Sequence, residues 1–221
     1  MKQLAEGVFQ IALFPRSAVN AYVIEDVLVD AGIRSSGAQL LREIGRLGIK
    51  AHVLTHAHPD HQGASAQICG ALGLPLWCGA ADVAATESGD VLGEMPNPDG
   101  WLARLQRRCW AGPGHPVARA LREGDRVGEF AVLETPGHTV GHIALWRERD
   151  GVLILGDVLN NMNLITTRAG LHQPPKLFTA QPDVNRASIK KVAALEPRLV
   201  CFGHGPALRD PRALAEFARG V

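Results

Sequence analysis

Four apolar runs in this chain each break off into a turn that carries histidine or aspartate. "AHVL" (51–54) runs into "THAHPDH" (55–61). "FAVLETPG" (130–137) ends at His138, "VLILG" (152–156) at Asp157 and "RLVCFG" (198–203) at His204. Loops at strand ends are where a rigid scaffold presents functional groups. Four such turns can serve one site only if their strand ends meet at one edge of the molecule. That requirement constrains the fold more than any other feature of the chain.

The remaining sequence supplies the parts of an α/β architecture. "VFQIALF", "NAYVIE" and "VLVDAG" are β-like runs separated by turn residues and read as an antiparallel meander. Residues 35–48 space Leu40, Leu41, Ile44 and Leu47 as an amphipathic helix, with Ser35 or Ser36 as its cap and Gly48 as its stop. Residues 62–73 read as a helix and "LPLWC" as a strand. Residues 79–116 hold a short helix near 80–87 and a helical piece near 100–109 within an irregular excursion. "HIALWRE" and "GVLILGD" are strands joined by a turn at Arg149-Asp150-Gly151. Residues 159–182 are loop-rich. Residues 184–195 are expected to be helical with Asp183 as cap, and "PRALAEFAR" forms a last helix opened by proline. Apolar helices then cover sheet faces, in one domain spanning 1–221.

Composition narrows the function. Lys plus Arg number 23 and Asp plus Glu 22, a net charge of +1, so the basic footprint of a nucleic-acid binder is missing. The densest basic stretch, "RLQRR" (104–108), reads as a solvated helix face. No apolar run approaches the ~20 residues that span a bilayer, and the first residues lack a secretory signal. Cys69, Cys78, Cys109 and Cys201 form no CxxC pair and read as free thiols. A cytoplasmic location and a small-molecule partner are expected, with neither nucleic acid nor membrane as partner; assembly into homo-oligomers stays open.

Imidazole suits zinc and other borderline metals, and a carboxylate can bridge two cations. A two-metal site places its ions ~3.5–4 Å apart. Five histidines and two aspartates, His56, His58, Asp60, His61, His138, Asp157 and His204, provide enough ligands for such a pair. His56 and His58 lie two apart and share one side of an extended segment. Asp60 and His61 are adjacent and need a bend, which Pro59 helps by fixing its φ. His142 is read as steering a ligand by hydrogen bond or as the start of a strand, and His172 as a residue that could face substrate. His52 and His115 are read as structural.

"THAHPDH", "PGHTVGH", "LGD" and "FGHG", in that order, resemble the signature of the metallo-β-lactamase superfamily, and "NAYVIE" and "VLVDAG" resemble its opening strands. The resemblance covers nearly the whole chain. It implies an αββα sandwich, two packed mixed β-sheets flanked by helices. It also implies His56, His58 and His138 on a first metal, Asp60, His61 and His204 on a second, and Asp157 bridging them. The cofactors implied are two divalent ions, zinc first, with iron or manganese as alternatives. The chemistry implied is hydrolysis by a metal-bridging hydroxide, with Asp60 as the catalytic residue that orients it and shuttles its proton.

Within the superfamily the chain is most similar to glyoxalase II in its ligand set. Only residues 209–221 follow "HGPAL", so the family's glutathione-binding C-terminal domain is not expected. Asp157 and the missing signal disfavour a β-lactamase. The single tyrosine, Tyr22, sits in an early strand and does not match the tyrosine of the family's lactonases. A stand-alone hydrolase of an ester, thioester or lactone is the reading, with segments 88–116 and 159–180 shaping its pocket and Trp101, Trp110, Met95 and Leu164 offering apolar contact. Two alternatives stay open. One is a persulfide dioxygenase holding a single iron through His56, His138 and Asp157. The other is a metal-binding protein without catalysis.

Overall fold

In the computed structural model, which describes residues 1–93 and 95–221, side-chain alternation decides the layering. Strands β1 (Lys2–Ala5), β2 (Val8–Ala12), β3 (Asn20–Ile24) and β4 (Val27–Val29) form the antiparallel meander. Strands β5 (Ala51–Val53), β6 (Leu76–Gly79) and β7 (Val117–Leu121) then extend the sheet in parallel, giving seven strands in chain order. Helix α1 (Gly37–Ile44) links β4 to β5. Helices α2 (Pro59–Gln62) and α3 (Ser65–Leu72) link β5 to β6, and α4 (Val83–Ser88) and α5 (Trp101–Cys109) precede β7.

A second sheet holds β8 (Arg126–Val127), β9 (Phe130–Glu134), β10 (Ile143–Arg147) and β11 (Val152–Gly156). A ribbon of β12 (Asn160–Met162) and β13 (Ala169–His172) and helix α6 (Pro182–Ala193) lead to β14 (Leu199–Phe202), which pairs in parallel with β11. Helix α7 (Pro211–Arg219) follows.

Along β3, Tyr22 and Ile24 enter the core between the sheets while Ala21 and Val23 pack outward. Along β11, Val152 and Ile154 face inward while Leu153 and Leu155 pack outward. The outward side of the first sheet meets Leu40 and Ile44 of α1 and Ile68 of α3. That of the second sheet meets Ile189 and Val192 of α6 and Leu214 of α7. The period of two thus buries both faces of each sheet, and the result is the αββα sandwich. The hydroxyl of Tyr22 donates to Phe202 O (2.7 Å) and ties the sheets together. Among the described residues no helix is long and apolar enough to cross a membrane.

Several boundaries differ from the sequence reading. β1 and β7 are edge strands whose residues are mostly exposed or half-buried, and they carry little hydrophobic signal. The loop-rich stretch 159–182 contains the β12–β13 ribbon. α1 stops at Ile44, and Ser36 precedes it without a capping side-chain hydrogen bond. The expected helix over 62–73 is divided, because Gln62 closes the single turn of α2. Gln181, not Asp183, precedes α6, since Pro182 takes its first position; Asp183 pairs instead with Arg186 in the first turn. Residue 94 of segment 88–116 lies outside the described residues.

Candidate metal centre

The turn after β5 is shaped by its own sequence. The chain bends at Thr55 and His56 after β5, and His58 takes an extended backbone (φ −114°, ψ 158°). Pro59 then opens α2 at a position where a missing N–H costs nothing. One helical turn swings Asp60 and His61 to a second direction. The other ligand-bearing residues arrive from the ends of β9, β11 and β14, so the four turns do meet at one edge.

The rings of His56, His58 and His138 face one another at centroid separations of 4.5–4.9 Å. Their ring nitrogens form one group that could hold an ion; Asp60, His61 and His204 form another, and His56, His61 and Asp157 a third. Asp157 stands among them. Its Oδ2 lies 3.0 Å from His204 Nε2 and 3.7 Å from His138 Nε2, and its Oδ1 lies 3.6 Å from His61 Nε2. Asp60 Oδ2 is 3.3 Å from His204 Nε2.

The outward nitrogens fix the tautomers. Thr55 Oγ1 spends its proton on Asp30 Oδ2 (2.8 Å), so the 3.0 Å contact with His56 Nδ1 is donated by the imidazole. Thr179 Oγ1 likewise donates to Pro175 O (2.9 Å), so it accepts from His138 Nδ1 (3.3 Å). His61 Nδ1 donates to Asp30 Oδ2 (2.9 Å) and His204 Nδ1 to Ala18 O. Each ring then turns its Nε2 inward, the atom that a bound cation would meet. The Nε2 atoms of His56, His61 and His138 and the Oδ1 of Asp157 are buried without a hydrogen-bond partner. Buried polar atoms are rarely left so, and these four all belong to the residues of the three groups above, as a site for divalent cations would have it.

Electrostatics support the same reading. Burial and neighbouring imidazoles hold His56 and His138 well below the usual histidine range, and burial brings His58 down to about 4. These rings stay neutral, as ligands must. At the other set burial opposes charge but is outweighed: Asp30 and Asp157 raise His61 to about 10, and Asp157 and Asp60 raise His204. Burial raises Asp60 and Asp157, yet His204 and His61 bring both below the ordinary carboxylate range. Where protons collect without a metal, the site calls for positive charge.

His142 is buried behind Asp157. Its Nε2 accepts the Asp157 N–H (3.0 Å), and its Nδ1 contacts Thr135 Oγ1 (2.8 Å), so it orients Asp157 through the backbone. His172 is exposed at the end of β13 and is not among the residues that line the cavity over the cluster. His52 is buried beneath α3, between Leu28 O and Ser65 Oγ. Two aspartates went unnoticed as site residues. Asp30, at a left-handed φ of 60°, accepts from Thr55 N and Thr55 Oγ1 as well as from His61. An acid closing the apolar run "VLV" is the signal that could have found it. Asp82 accepts from Ala57 N, Thr139 Oγ1 and Gly141 N, joining the turns after β5 and β9. No local pattern marks it.

A cavity of 570 Å³ opens over the cluster, with Asp60, Asp157 and His204 in its lining. Segments 88–116 and 159–180 both supply walls, through Met95, Trp110 and Leu164 among others. Trp101 does not: it is 74% exposed on α5 and absent from the lining.

A sequence model of the metallo-beta-lactamase superfamily matches residues 15–204. The probable metallo-hydrolase YflN of Bacillus subtilis (strain 168) is 32% identical over 81% of this chain and 75% of its own. A hydroxyacylglutathione hydrolase of Fuscovulum blasticum is 33% identical over 69% of this chain, which spans 47% of that protein. Among solved structures, TTHA1623 in a di-iron-bound form superposes with a TM-score of 0.71 and 32% identity, covering 96% of this chain and 97% of that one.

Proposed function

The chain belongs to the metallo-β-lactamase superfamily, and on that premise we propose that it is a binuclear hydrolase of an ester, thioester or lactone of a small molecule. His56, His58 and His138 would hold one cation, Asp60, His61 and His204 the other, with Asp157 between them. The observation that carries this reading is the meeting of three candidate ligand groups that share residues, four of whose buried polar atoms have no hydrogen-bond partner. Zinc comes first for such a nitrogen and oxygen donor set, with iron or manganese as alternatives. The di-iron form of a structural neighbour keeps iron in view. When bound, the cations would lower the pKa of water and stabilise negative charge developing on a carbonyl oxygen.

The chain's own residues divide the remaining work. Asp60 belongs both to a ligand group and to the cavity lining, and His204 and His61 hold it deprotonated. It can accept a proton from the attacking water at Oδ2 and deliver it to the leaving group. His142 fixes the peptide of Asp157, and the Asp30 carboxylate holds His61 and the turn that carries it. No Ser, Cys or Lys stands among the described lining residues, and their one hydroxyl, of Thr167, is engaged by Arg16, which supports water rather than a side chain as nucleophile. A dioxygenase with one iron would need only His56, His138 and Asp157; the separate group of Asp60, His61 and His204 supports two ions.

Replacing Asp60 tests the assignment. Asp60→Ala should lower turnover on an ester, thioester and lactone panel by about a hundredfold or more while the metal held by His56, His58 and His138 stays bound. Wild-type turnover in this variant would remove Asp60 from the mechanism.

A further inference from the structure

We propose that the substrate's acyl group carries an uncharged apolar tail, seated along the cavity wall made by Phe14, Trp110, Leu164, Ile165, Leu177 and Phe178; this rests on the hydrolase reading above. The cavity lining contains no lysine or arginine among the described residues, and its ionisable groups are all members of the metal-ligating cluster. Its remaining polar side chains are Gln106, Asn160 and Thr167, all neutral. An anionic carrier would find no countercharge along these walls. Arg16 reaches the rim, donating to Thr167 Oγ1 (2.6 Å), but does not line the cavity.

The apolar side chains of the rim are also unusually exposed. Ile165 is 93% exposed and Leu177 48%, and Phe14, Trp110 and Leu164 are each more than a third exposed. These five make up half of the large hydrophobic side chains that the described chain exposes, so the exposure gathers at one cavity instead of scattering over the surface. They come from three places in the sequence: the loop before β3, the end of α5, and the segment from the β12–β13 ribbon to Phe178. The same cavity lining includes both these rim residues and Asp60 and His204. A tail held here leads its carbonyl to the cluster, and its burial would repay the cost of water contact at the rim. The space of 570 Å³ suits a small molecule of this kind.

Two measurements on the metal-loaded protein test the proposal. The first is kcat/KM on thioesters and lactones with straight acyl chains from acetyl to decanoyl, beside matched chains ending in a carboxylate. The second is the affinity for n-alkyl methyl ketones of the same lengths, followed by calorimetry. Both should rise about two- to fourfold per added methylene until the cavity is filled, and the carboxylate-ended chains should fall behind. Ile165→Glu should flatten the dependence on length. Ketone binding that tightens with length while nothing is hydrolysed would support the tail and refute the hydrolase reading. Turnover that stays flat with length, with no ketone binding, would overturn the tail and leave the hydrolase reading standing. A dimer that Ile165→Glu dissociates without altering the length dependence would assign the rim to a second copy and also overturn the proposal.

Discussion

His52 and His56 lie four residues apart, both fully buried, and do different work. His52 Nδ1 donates to Leu28 O and Nε2 accepts from Ser65 Oγ, so both nitrogens are satisfied. His56 has its Nδ1 satisfied by Thr55 and its Nε2 left open toward the cluster. Burial lowers His52 to about 4 from an unfolded value near 6.5. The folded state therefore binds fewer protons than the unfolded state between these values. Stability is complete above about pH 6.5 and declines as the pH falls toward 4, by roughly 3 kcal/mol from this group. His58 and His142, lowered to about 4 and about 3, act in the same direction in the metal-free protein. Urea unfolding of metal-free protein between pH 7 and pH 4.5 should show this loss, and His52→Gln, though less stable throughout, should show a smaller one. An unchanged pH dependence in that variant would refute the role given to His52.

At the scale of elements, the ends of strands matter more than their interiors. Gly203 closes β14 just before His204, and a Cβ there would stand 2.0 Å from Asp157 Oδ1 and 2.6 Å from His61 Cε1. Gly203→Ala is expected to displace both ligands, so metal content should fall toward one ion per chain while far-ultraviolet circular dichroism stays that of the folded protein. Two tightly held ions in this variant would show that the turn tolerates a side chain. The interior strands were legible because their side chains alternate between two buried faces, as Val152 to Leu155 do. β1 and β7 were not, because at a sheet edge consecutive residues stay exposed on both sides and the alternation is lost. The histidine turns were legible because candidate ligands are dense in sequence. Asp30 and Asp82 were not, since each serves the site by accepting hydrogen bonds from residues some 25 or more positions away. The β12–β13 ribbon was hidden because segment 163–172 is largely exposed, even at Leu164 and Ile165, and so shows no alternation of buried and exposed residues.

The whole molecule works as a support for one edge. Two sheets packed through Tyr22, Phe130, Val132, Leu145 and Ile154 bring the ends of β5, β9, β11 and β14 together. Helices outside bury the other faces, and Tyr22 and Asn20 tie the first sheet to the turn of His204, through Phe202 O and Gly205 O. Binding to the folded state alone raises stability, so removal of metal should lower the melting temperature as well as the activity. The most direct test of the central claim is metal content of protein purified without added metal, with hydrolysis measured before chelation, after it and after zinc is restored. Two divalent ions per chain, and ester, thioester or lactone turnover that disappears with the chelator and returns with zinc, is the predicted result. A single iron with oxygen uptake on a persulfide, or two ions with no hydrolysis of any substrate in the panel, would contradict it.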